Sequence, residues 1–190
     1  MRIIRPAWLL PVLLLLPGIA ASAAEIDGVV FPATKQIDGK TLVLNGFGRR
    51  TWSFLNIHIY LAGLYVEHPT RDPEAIIHSP ETKILTFRFE HDVTADKARD
   101  AWRKGLENNC IAPCLLDPAD VEQFLARVPA MREGDSFELR FAGHTAEISA
   151  NGQPLGHVDR APLADAMLAA FLGPKPGSAT LKQALLEGHG

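Results

Sequence analysis

The stretch from Phe54 to Val66 alternates between two sets of side chains, and no other feature constrains the fold as tightly. Successive residues of a strand point to opposite faces, so Leu55, Ile57, Ile59 and Leu61 fall on one side and Phe54, Asn56, His58 and Tyr60 on the other. The first set reads as plain core. The second mixes aromatic and polar groups, an unusual surface to cover unless something binds there.

Other segments supply the partners of this strand. Val29 to Phe31 and Thr41 to Leu44 read as short strands around the Asp38-Gly39-Lys40 turn. Lys83 to Phe89 alternates, with Leu85, Phe87 and Phe89 on one side and Thr86 and Arg88 on the other. Phe137, Leu139 and Phe141 alternate again. Asn151-Gly152 between extended segments marks a hairpin, because both residues tolerate positive φ. Between the strands, Asp72-Pro73 and Asp117-Pro118 open helices with proline at the first helical position. Thr94 caps a helix whose apolar stripe is Ala98, Ala101, Trp102, Gly105 and Leu106. Two more helices are expected over 162–172 and 178–186, the first stopped by Gly173-Pro174. The pattern predicts an α+β fold, an antiparallel sheet covered on one face by helices.

The N-terminus carries Arg2 and Arg5, an apolar run from Ala7 to Leu16, Pro17-Gly18 and the small residues Ala21 to Ala24. That is the layout of a secretory signal peptide over residues 1–24, with the run too short for a bilayer span of ~20 residues. One domain over 25–190 and a periplasmic or secreted location are expected. Loss of the two leader arginines moves the net charge from −3 to −5. Such a chain lacks the basic field of a general nucleic-acid binder.

Arg50 and Tyr60 are the leading site candidates. A guanidinium presents a planar fork of donors to a carboxylate and stays charged when partly buried, and a phenol adds one donor on a rigid apolar body. Extension from 50 to 60 puts both on one face, unless a turn near Thr51 to Ser53 spoils the count. Arg49 is then the solvated neighbour. The competing reading pairs Arg50 with Asp27 or Glu90. His58 and Asn56 join the Tyr60 face, His58 as a half-buried strand residue or a proton carrier. The histidines show no metal-ligand spacing, and no nucleophile elbow, phosphate loop or dinucleotide fingerprint occurs, so neither metal nor cofactor is expected. Cys110 and Cys114, with three residues between them in a loop, are expected to form a small structural disulfide, with free thiols as the alternative.

Leu44-Asn45-Gly46-Phe47-Gly48-Arg49-Arg50, then Ile59 to Val66, resemble two strand segments of the chalcone-isomerase superfamily. Trp102 to Leu106, Asn108-Asn109, Glu133-Gly134-Asp135, Asn151-Gly152, Phe171-Leu172-Gly173 and Leu185-Leu186 extend the resemblance in order, nearest to its bacterial exported branch. The resemblance implies that family's open-faced β-sandwich. Plant members close a chalcone to a flavanone, while plastid relatives bind fatty acids without isomerase activity. Both share an arginine that falls on Arg50 here. The isomerase's strand threonine falls on Tyr60, as in the fatty-acid binders; its other polar positions fall near Thr94, Ala101 and Ala164, mostly without the matching group. The favoured expectation is binding of a fatty acid or similar amphipathic acid, without evident catalysis. Isomerisation of a chalcone-like enone and an envelope interaction protein are the alternatives.

Overall fold

The computed structural model describes residues 23–52 and 55–187. The leader, except its last two residues, lies outside the described residues, as does Phe54. Strands β1 (Ala24–Ile26) and β2 (Val29–Phe31) form a small hairpin of their own. The main sheet has seven strands in sequence order: β3 (Thr34–Ile37), β4 (Lys40–Trp52), β5 (Ile57–Val66), β6 (Lys83–Phe89), β7 (Ser136–Ala142), β8 (Thr145–Ala150) and β9 (Gln153–Val158). Each neighbouring pair is antiparallel. Helices α1 (Pro73–His78), α2 (Ala95–Asn109), α3 (Pro118–Ala126), α4 (Ala161–Leu172) and α5 (Ala179–Leu186) complete the chain. The architecture is the expected α+β.

Helix starts follow the sequence signals. The carboxylates of Asp72 and Asp117 accept from backbone amides of the first turns of α1 and α3, and Thr94 accepts from Lys97 N. These caps satisfy amides that no helical carbonyl reaches.

The helices cover one face of the sheet. Ala62, Leu64 and Val66 of β5 meet Leu85 and Phe87 of β6, Leu106 of α2, Phe124 of α3 and Met167 of α4 in the main core. This is the even-numbered face of β5, the side expected to bind. The face of Leu61, expected to be the plain core, carries instead a smaller cluster of Phe31, Leu42, Leu44, Leu61, Tyr65 and Ile84 under the β1–β2 hairpin. The strand also begins later than expected. Leu55 is exposed, and Asn56 takes φ 52° in the turn. Ala101, placed in the α2 stripe, is exposed, while Asn109 on the same helix is buried.

The sheet curls strongly. Lys35 of β3 pairs with Glu138 of β7 at 2.7 Å, and Arg140 pairs with Asp38. Four inter-strand steps of about 4.8 Å would hold β3 and β7 roughly 19 Å apart in a flat sheet. The two ends therefore bend toward each other on the face away from the helices.

The Asn45-Gly46-Phe47-Gly48 segment explains how α5 packs. The register of β4 against β5 slips between Leu44 and Gly46, so Asn45 is an extra residue. Asn45 is 1% exposed; its Nδ2 donates to the Leu185 carbonyl at 2.8 Å, and its Oδ1 accepts from Thr70 N at 2.8 Å. Gly46 then lets the backbone of α5 lie directly on β4, where a Cβ would sit 2.5 Å from the Leu185 carbonyl oxygen.

Candidate functional site

Arg50 and Tyr60 are direct cross-strand partners in the β4–β5 pair. They share the helix-facing side, as expected, although the chain turns between them instead of running straight. Just beyond them the register slips again, between Arg50 and Thr51, and Thr51 pairs with His58. Ile59 is the extra residue. A bulge of this kind turns the strand's alternation over.

That slip overturns the placement of His58 with Tyr60. His58 lies with Asp27 of the β1–β2 turn and Glu90, their ligand atoms within 4.8 Å of one another, on the opposite face of the sheet. Asn56 is exposed in the turn and lies 3.4 Å from His58 Nε2, so it too stands apart from Tyr60. The sequence offered no sign of the three-group cluster, whose members come from separate elements. Arg49 already occupies it. Its guanidinium donates to both Glu90 oxygens at 2.8 Å and also pairs with Asp27. With 20% of its side chain exposed, Arg49 is not the solvated residue expected. The Glu90 and Asp27 carboxylates raise its pKa further.

The consequence for Arg50 is direct. Both carboxylates that were its candidate partners are engaged by Arg49. Half-buried Arg50 has no ion pair or hydrogen bond among the described residues. Opposite it, burial pushes the Tyr60 phenol up to about 12, with the Arg50 charge acting in the other direction. The phenol therefore remains a proton donor across the physiological range.

From Tyr60 a chain of rings runs along the junction of sheet and helices. Tyr60 packs edge-on to Phe87 at 5.2 Å and against Phe89 at 5.5 Å; Phe87 meets Phe171 at 5.2 Å, and Phe171 meets Trp102 at 5.4 Å. Tyr60, Phe89, Trp102 and Phe171 are all partly exposed. A guanidinium without a counter-ion among the described residues thus stands at one end of a half-open aromatic strip. Two cavities lie elsewhere, one of about 380 Å³ under the β1–β2 hairpin and one of about 460 Å³ between α3 and the end of β9. Neither is lined by Arg50 or Tyr60.

Near the C-terminus of α2, Cys110 and Cys114 are joined in a disulfide, with Ile111 and Leu115 exposed beside it. No helix among the described residues is long and apolar enough to cross a membrane.

A model of the chalcone isomerase-like family matches residues 23–187. The chain belongs to that family. A solved structure with the same fold is a fatty-acid binding protein of Arabidopsis thaliana. The two superpose with a TM-score of 0.72 at 15% identity, covering 87% of this chain and 96% of the plant chain. No curated protein sequence matches. Of the residues near which the resemblance put the isomerase's polar positions, Thr94 caps α2, Ala101 faces solvent and Ala164 is buried in the core.

Proposed function

We propose that this chalcone isomerase-like protein is exported to the periplasm or secreted, and there binds a fatty acid or a similar amphipathic acid. Arg50 receives the carboxylate, Tyr60 donates to it, and the acyl chain lies along Phe89, Phe87, Phe171 and Trp102. The carrying observation is the half-buried guanidinium of Arg50, left without a counter-ion among the described residues while Arg49 holds both nearby carboxylates. A charge in that position is stabilised by an anion from outside the chain, and a bidentate carboxylate is the geometry it fits best. The half-open strip gives the tail apolar contact without a sealed cavity. A fatty-acid binding protein of the same fold supports the ligand class. The leader-like N-terminus and the Cys110–Cys114 disulfide support an oxidising compartment.

The test is a chain-length series of acids and their methyl esters on delipidated protein. Each buried methylene contributes about 0.8 kcal/mol, so affinity should climb with length until the strip is filled. Esters should bind more weakly than acids at every length. Equal affinities for acid and ester would remove Arg50 from the account.

Exposed Trp52 and Leu55 beside the β4–β5 turn, with Ile111 and Leu115 at the disulfide, favour a second reading as an envelope interaction protein. Loss of a co-purifying protein on Trp52→Ser with Leu55→Ser, lipid binding being unchanged, would support it. An isomerase reading is tested by turnover of a chalcone panel above the solution rate.

A further inference from the structure

The sheet face turned away from the helices holds a recess of its own, distinct from the Arg50 strip. The β1–β2 hairpin stands over β5, β6 and β7 and leaves the cavity of about 380 Å³, within the size range of small-molecule sites. Val29 and Phe31 wall it on the hairpin side, with Lys35, Tyr65, Arg88 and Ser136 contributed by the sheet. Among the described residues, one buried polar group there is unmatched. Tyr65 is 0% exposed and its hydroxyl has no hydrogen-bond partner. Arg88 reaches the same recess from its exposed edge, where its charge also acts on the Asp135 carboxylate. Lys35 lies with its ammonium 4.9 Å from the centre of the Tyr65 ring while bonded to Glu138 at 2.7 Å.

A buried hydroxyl without a partner is destabilising, and nearly all such groups in folded proteins find one. Here the orphan lies beside a recess lined by two cations, Lys35 and Arg88, and by no carboxylate; Glu138 and Asp135 stand outside the lining, the first bonded to Lys35 and the second near Arg88. The hydroxyl calls for an acceptor, and the two lining cations favour one that carries negative charge. Apolar walls at Val29 and Phe31 favour a compact hydrocarbon body behind it.

We propose that this recess binds a small carboxylic acid with a compact apolar body. Its carboxylate bridges Arg88 and Lys35 and accepts from the Tyr65 hydroxyl. Lys35 is the movable element: exchanging Glu138 for the ligand draws its ammonium off the phenol ring and opens the hydroxyl to the incoming oxygen.

Phenylacetate serves as the probe and phenylacetamide as its uncharged counterpart, with amide NMR shifts as the readout. Saturable shifts are expected at Thr86, Arg88 and Ser136, with phenylacetamide much weaker. Arg88→Gln and Tyr65→Phe should each weaken phenylacetate roughly tenfold, as expected for one lost hydrogen bond to a charged group. Tyr65→Phe removes an unpaired hydroxyl, so it should fold at least as well as wild type, and a lost response cannot be put down to unfolding. Arg50→Ala should leave phenylacetate binding in place even when long-chain acids no longer bind, which separates this recess from the aromatic strip. The proposal is overturned by no saturation up to roughly 10 mM, the weak end of specific binding. It is equally overturned by shifts centred on Tyr60, or by unchanged affinity in both variants.

Discussion

Asn45→Ala strikes the point where the β4 bulge is tied to both α5 and the chain leaving β5. The amide side chain is buried, donating to the Leu185 carbonyl and accepting from Thr70 N. Alanine abandons both partners. The Leu185 carbonyl is enclosed under α5, so losing its donor is expected to cost about 2 kcal/mol; Thr70 N is only part-buried and water can reach it, so about 1 kcal/mol is expected there. The sum of about 3 kcal/mol is large beside the marginal stability of a domain this size. Urea denaturation should show a lower midpoint with an unchanged slope, because the surface exposed on unfolding is the same. Hydrogen exchange should show lost protection at Thr70 and through α5 even where the fold persists. A loss below about 1 kcal/mol, the low end for one buried bond, would refute this account of the bulge.

Gly46→Ala should destabilise by about 1–3 kcal/mol, as overpacking does, because the new Cβ meets backbone of α5 rather than a side chain that can rotate; thermal denaturation reads it. Glu67 gives a pH signature. Its carboxylate accepts from Lys40 Nζ and from Thr82 N, each at 2.6 Å, and these bonds hold its pKa near 2, below the ordinary 4.5. The native state thus binds the proton less readily than the unfolded chain. The stabilisation is complete above about pH 4.5 and is lost as pH falls toward 2. Glu67→Gln should lower stability at neutral pH and flatten the acid limb over that window, and a parallel acid limb in mutant and wild type would argue against it.

The legible parts of this fold were those written into neighbouring residues. Lys83 to Phe89 shows its two faces by alternation alone, and the caps at Asp72, Thr94 and Asp117 mark helix starts because side chain and amide lie within one turn. Register slips have no such local mark. The bulges at Asn45 and Ile59 exist only relative to the opposite strand, so alternation carries His58 to the wrong face; it puts Arg49 on its correct face, but nothing local shows that Asp27 and Glu90 cover it. The curl was equally hidden, since Lys35 and Glu138 are 103 residues apart and flank strands that alternate normally. Counting straight extension between Arg50 and Tyr60 puts them on one face; they share it because they are cross-strand partners, with the second slip lying between this pair and the turn.

The account's central claim is that the Arg50 guanidinium meets the ligand's carboxylate. Carbon-13 NMR of carboxyl-labelled palmitate on delipidated protein observes that atom itself. A neighbouring arginine lowers a carboxylate pKa by about 1–3 units, so bound palmitate should titrate below the free acid in wild type and return to or above it in Arg50→Ala. Identical titration in the two proteins would contradict the claim.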